Sequence, residues 1–168
     1  MDTKKYINTL LIIFTSWLAT TLIIDFMIIP GAFRLLQDIE KAGQLGLYIF
    51  SHYNKIELIM GVICLIASWK IFKYGRARLL PILAIMITLI SLSYLFILTP
   101  QISMLREKHV ELLHAHQVLS QEIKAQLMWY HRIYVGLDTF KILLLGCAMA
   151  FCLLFRPKIR NIFGKSQL

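Results

Sequence analysis

The chain has 168 residues, 58% of them hydrophobic and 16% charged, enough for one compact domain and too few for two. A net charge of +9 would suggest nucleic acid for a water-soluble protein, but here the bases gather at the ends of long apolar runs, where lipid headgroups lie. Nucleic acid is thereby excluded as a partner and a lipid bilayer takes its place. Cys64, Cys147 and Cys152 all fall inside apolar runs without CxxC or Cys/His spacing, which excludes a disulfide framework and a zinc site and leaves small packing residues.

Four apolar runs, about 7–29, 53–72, 79–99 and 134–155, each approach the ~20 residues a helix needs to cross hydrocarbon while satisfying its own amides. The expected fold class is all-α: an integral membrane protein with a four-transmembrane-helix bundle as a single domain over 1–168. The first run follows Lys4 and Lys5 as the apolar part of a signal peptide would. It is too long for that class, has no small-x-small cleavage pattern and contains Asp25, so it reads as an uncleaved span. Pro30-Gly31 is expected to end it. Beyond that stop, Ala32, Leu35, Leu36 and Ile39 recur at helical spacing opposite Arg34, Asp38 and Lys41. This pattern predicts an interfacial helix over about 32–42, released by Gly43 and Gly46, with a plain connector as the alternative.

The second span closes with Trp69, Lys70 and Lys73, an aromatic and basic set suited to the headgroup layer. The third starts near Pro81 and ends at Thr99-Pro100. Then Ile102, Leu105, His109, Leu112, His116, Leu119 and Ile123 alternate by three and four, one helical stripe. With Ser120 as a helix cap ahead of Glu122, it predicts an extracytoplasmic helical hairpin over about 101–132. The sequence is expected to hold no internal repeat and no low-complexity tract. Ten Lys and Arg fall on the side of the termini and seven on the other, where acids dilute them, so both termini are expected in the cytoplasm, as in a bacterial inner membrane.

In that orientation the ionisable residues of the spans converge on the outer half. Asp25 lies ~6 Å of helical rise from the end of its span, Glu57 lies about one turn into the second, and Asp138 and Lys141 occupy the first two turns of the fourth. An ionisable group at the centre of a spanning helix costs ~2.5–3.5 kcal/mol, so such residues turn inward and find partners. His131, Tyr134, Asp138 and Lys141 share one helix face. Tyr53 and Asn54 stand beside Glu57 with His52 at the rim, and Gly61, Cys64 and Ser68 make a small-residue strip for a neighbouring helix. One reading is a proton- or cation-handling site in which Asp25, Glu57 and Asp138 offer oxygens and Lys141 neutralises one. The other is a structural network, with Asp138 and Lys141 paired and the remaining acids hydrogen-bonded near water.

His52 and His131 come at similar heights on two spans, a conceivable bis-imidazole pair. His109 and His116 are ~10 Å apart along one helix, too far for one ion, and His114 points elsewhere; these three read as seam residues or a pH-sensitive contact. Nucleophile elbow, HExxH, phosphate loop and dinucleotide fingerprint are all absent from the sequence.

Leu45-Gly46-Leu47 leading to Phe50 and Tyr53, Pro100 followed by an apolar helix, and Tyr130-His131 ahead of Asp138 resemble the family of small four-helix membrane proteins that includes transmembrane protein 205 and its bacterial relatives. That resemblance implies four spans, residence in a membrane and no established reaction. Three functions remain open. The first is a non-enzymatic membrane protein that binds or passes a small cation or proton through Asp25, Glu57, Asp138 and Lys141, with no cofactor or resident metal. The second is a structural or accessory protein, a homo-oligomer or a partner of another membrane protein, that recruits through its hairpin. The third is a haem- or quinone-binding redox subunit using His52 and His131.

Overall fold

A computed structural model describes residues 3–75, 78–114 and 121–163. Among these residues all regular structure is helical and forms four rods. The first joins α1 (Thr3–Ile23) to α2 (Ile29–Leu36) through the π-turn Ile24–Ile28, and the second is α3 (Ile39–Gly75). The third joins α4 (Leu79–Ser93) to α5 (Thr99–His114) through the π-turn Tyr94–Leu98, and the fourth is α6 (Gln121–Phe163). Three rods, over Lys5–Leu36, Leu79–Leu112 and Glu122–Leu154, are long and apolar enough to cross a membrane. In α3, Lys55, Glu57 and Lys70 dilute the apolar stretch.

The first rod does not stop at Pro30-Gly31; it runs on to Leu36. In a regular α-helix the Pro30 ring would press on the Phe26 carbonyl and leave an acceptor bare. The π-turn takes up this misfit, because the Ile29 N–H reaches back five residues to the Ile24 carbonyl and the helix widens by one residue. The third rod uses the same device ahead of Pro100, with the Thr99 N–H on the Tyr94 carbonyl. Residues 32–36 are therefore the tail of the first rod, and the single interfacial helix expected over 32–42 is not formed. The chain turns instead at Gln37, whose φ of 50° is left-handed, and at Asp38. Asp38 Oδ1 accepts the N–H groups of Glu40 and Lys41 at 2.9 and 3.1 Å and so caps α3. These bonds, that of Lys41 foremost, hold the Asp38 carboxyl below its ordinary range.

The two rod pairs follow one plan, against the expectation that the sequence holds no internal repeat. Phe26-Met27-Ile28-Ile29-Pro30 and Phe96-Ile97-Leu98-Thr99-Pro100 occupy the same place relative to their π-turns. The rod that follows each then carries a tyrosine four residues ahead of an acid, Tyr53 and Glu57 in α3, Tyr134 and Asp138 in α6. Few positions are shared, and the connection from proline to tyrosine is longer in the second pair.

α1 packs on α3 and α6, and α4 packs on the same two. α3 and α6 face each other across the middle, and among the described residues their backbones make no close approach. Gly61 sets the spacing between α3 and α4, since a Cβ there would lie 2.8 Å from Thr88 Oγ1. Near the end that holds Thr3, the interior is apolar: Ile7, Leu10 and Phe14 meet Cys64 and Ile71, Leu80 and Ile87, and Leu145, Ala148 and Cys152. The outside is apolar too. Ile12, Ile59, Leu89, Leu143 and Leu154 are each more than half exposed, a surface suited to lipid and poorly suited to water. Past Pro100, Leu105 is buried and Ile102, His109 and Leu112 are half-buried, a stripe on the rod that packs against α6. His116, Leu119 and Ser120 lie outside the described residues.

Candidate functional site

Lys141 is 1% exposed and Glu57 fully buried. The ammonium lies 2.6 Å from Glu57 Oε1 and 2.6 Å from Asp138 Oδ1, so it links α6 to α3 across the middle. The bond to Asp138 is an i,i+3 contact on one helix face; the bond to Glu57 exists only because the rods bring α3 and α6 face to face. Trp17 Nε1 donates to Glu57 Oε1 at 2.8 Å, and the Tyr94 hydroxyl donates to Asp138 Oδ1 at 3.5 Å. The Tyr94 ring centroid is 5.0 Å from the ammonium, within cation–π range. Taking such ions out of water costs several kcal/mol each, which only close pairing and further hydrogen bonds offset.

A second layer of polar groups holds this centre in place. Tyr134 donates to Asn54 Oδ1 at 3.3 Å, and Asn54 Nδ2 donates to Thr99 Oγ1 at 2.9 Å. The Tyr53 and Thr21 hydroxyls are 2.8 Å apart, and the Tyr94 and Tyr134 rings stack at 4.5 Å. Each bond ties one rod to another.

Charge does not balance within this group. Asp25 comes from the first π-turn and lies on the same side of the bundle as Asp138. With Glu57 that makes three carboxyls for one ammonium. Asp25 Oδ2 and Glu57 Oε2 are both buried without a hydrogen-bond partner. Among the described residues no group of three or more His, Cys, Asp and Glu side chains is arranged to hold a metal ion.

Asp25 and Asp138 also line a cleft of about 370 Å³, walled largely by apolar side chains such as Phe26, Phe33, Phe50 and Ile102. Arg106 lines it too, seven residues beyond Thr99, or ~10 Å of helical rise from the polar layer. Its Nη2 donates to the Glu40 carbonyl at 2.9 Å, and its guanidinium fills the space that a Cβ on Gly43 would take.

Asp25, Asn54, Glu57, Tyr134, Asp138 and Lys141 thus meet as the sequence suggests. His131 is exposed and lines the same cleft as Asp25, Tyr134 and Asp138. His52 is on an exposed face of α3, its Nδ1 2.9 Å from the Tyr48 carbonyl and its ring 4.4 Å from the Tyr48 ring. The two imidazoles read as a ligand pair therefore sit in different surroundings. Trp17, Tyr94, Thr99 and Arg106 were not singled out by sequence reasoning. One signal was available for Trp17: tryptophan favours membrane interfaces, and an indole N–H in the middle of an apolar run needs a buried acceptor.

A family model described as a domain of unknown function, DUF4149, matches residues 12–111. The chain belongs to this family. The DUF4149 match carries Trp17, Asp25, Glu57, Tyr94 and Arg106, whereas Tyr134, Asp138 and Lys141 lie beyond it. No curated protein and no solved structure matches the chain.

Proposed function

We propose that this DUF4149 protein is a four-span, non-enzymatic membrane protein that takes up a proton at Asp25, Glu57, Asp138 and Lys141 through the cleft. Both termini then face the cytoplasm of a bacterial inner membrane and the cleft faces outward. One observation carries the reading: a buried ammonium is held by two carboxyls, a third acid, Asp25, lines the same cleft as Asp138, and two buried carboxyl oxygens are left without partners. In a low dielectric, three ionised carboxyls cannot coexist with one cation, so the site is completed by added positive charge.

The count of four spans is supported by the two faces of α3. Asn54, Glu57 and Ser68 are buried, while Ile59, Val62, Ile63 and Ile66 are exposed, so a rod with charges in its sequence offers hydrocarbon an apolar side. The resemblance to the family of transmembrane protein 205 goes the same way. The apolar layer of Phe14, Leu10 and Ile7 against Ile87, Leu145 and Ala148 favours uptake from one side over a path through the protein. Infrared difference spectra of the protein in lipid nanodiscs, taken between acid and alkaline pH, test the proposal. A carboxyl C=O band that titrates and is lost in Asp25→Asn is expected; a wild-type spectrum without such a band would overturn it. A C-terminal reporter active outside the cytoplasm would overturn the orientation.

A further inference from the structure

The cleft is much larger than proton uptake requires. We infer that it binds an organic amine, a protonated primary amine on an apolar body, with the ammonium against Asp25 and Asp138 and the body among Phe26, Phe33 and Phe50. The inference rests on the charge-handling site proposed above and adds the class of ligand it takes.

Size decides against a bare inorganic ion. A volume of about 370 Å³ falls in the ~300–1,000 Å³ range of small-molecule pockets, whereas a single water occupies ~30 Å³. The walls decide the same way. A hydrated metal ion would lose its water to phenylalanine faces, while an organic ammonium gains from aromatic rings and leaves its apolar part in an apolar slot.

Charge fixes the end at which the ammonium sits. Lys141 is committed to Glu57 and Asp138 Oδ1, and Asp25 Oδ2 is buried without a hydrogen-bond partner in a residue that lines the cleft. A primary ammonium has three N–H donors, enough for Asp25 and for Asp138. Arg106 lines the other end and repels a cation there. It is also the group that an anionic amphiphile would seek, since its Nε is buried without a partner. Such a ligand would, however, bring its apolar end against Asp25 and Asp138, where nothing apolar is wanted.

Three probes of one shape separate these ligands: 1-naphthylmethylamine, 1-naphthylmethanol and 1-naphthoate. Each is titrated calorimetrically into the full chain in nanodiscs, with empty nanodiscs subtracted. The amine is expected to bind saturably, one per chain, and roughly tenfold or more tighter than the alcohol. That affinity should fall by a similar factor in Asp25→Asn. It should fall likewise in Val135→Trp, which fills the cleft wall and alters no charge, provided helical circular dichroism is retained. Amine binding no tighter than alcohol binding, or unchanged in both variants, overturns the inference, as does preferred binding of naphthoate lost in Arg106→Gln. If the infrared band titrates and the amine does not bind, the ligand class falls and proton uptake stands. If the amine binds and no band titrates, the ligand class stands and proton uptake falls.

Discussion

Ahead of the π-turn phenylalanine the first rod pair has Asp25, and three residues after its buried acid it has Met60; the second pair has Leu95 and Lys141 at those places. The two pairs share the phenylalanine, the proline, the widened turn and the tyrosine one helical turn before the acid. The first pair therefore contributes two carboxyls and no cation, and the second contributes one of each. Lys141 already has Asp138 on its own helix. Its second bond, to Glu57, joins the pairs, and Asp25 is the acid left over.

Making the second pair like the first at its most divergent position should have the largest effect. Lys141→Met leaves Glu57 and Asp138 buried without their cation, and breaking such a pair costs about 3–5 kcal/mol. Denaturant unfolding in detergent measures it, and a loss below about 1 kcal/mol would mean the ion pair is no more than a surface contact. Gly61→Ala disturbs the place where the pairs pack on each other. Its new Cβ meets the Thr88 hydroxyl, an overpacking worth about 1–3 kcal/mol, and Thr88→Ala in the same chain should recover most of that loss.

Making the first pair like the second works in the opposite direction. Asp25→Leu removes a buried oxygen that has no hydrogen-bond partner and should raise stability by about 1 kcal/mol, while the titrating carboxyl band disappears. A protein that is both stabilised and silent would mark Asp25 as kept for function rather than for folding. The smallest effect belongs to the turn that joins the first two rods. Gln37→Gly relieves a left-handed backbone at φ 50° and should raise stability by a few tenths of a kcal/mol, roughly what remains after the added flexibility of glycine in the unfolded chain.

What the sequence made legible depends on how far apart the partners lie. Asp138 and Lys141 are three residues apart, and helical spacing alone puts them on one face. Asp25 and Glu57 stand out because an acid inside an apolar run is costly. The bond between Trp17 and Glu57 spans 40 residues and that between Tyr94 and Asp138 spans 44. No local period encodes either. Pro30-Gly31 was misleading for a different reason. Proline and glycine read as a stop, yet a helix that can widen by one residue continues through them, and the same widening at Tyr94–Leu98 is equally invisible in the sequence.

The bond between Glu57 and Lys141 is the centre of this account, and a double-mutant cycle tests it most directly. Glu57→Gln, Lys141→Met and the double variant are unfolded under one set of conditions, and the coupling free energy is taken from the three losses. A coupling of about 2 kcal/mol or more is expected for a buried, charge-assisted contact. Losses that add to within about 0.5 kcal/mol would contradict it, because they would mean that α3 and α6 do not hold each other through these two side chains.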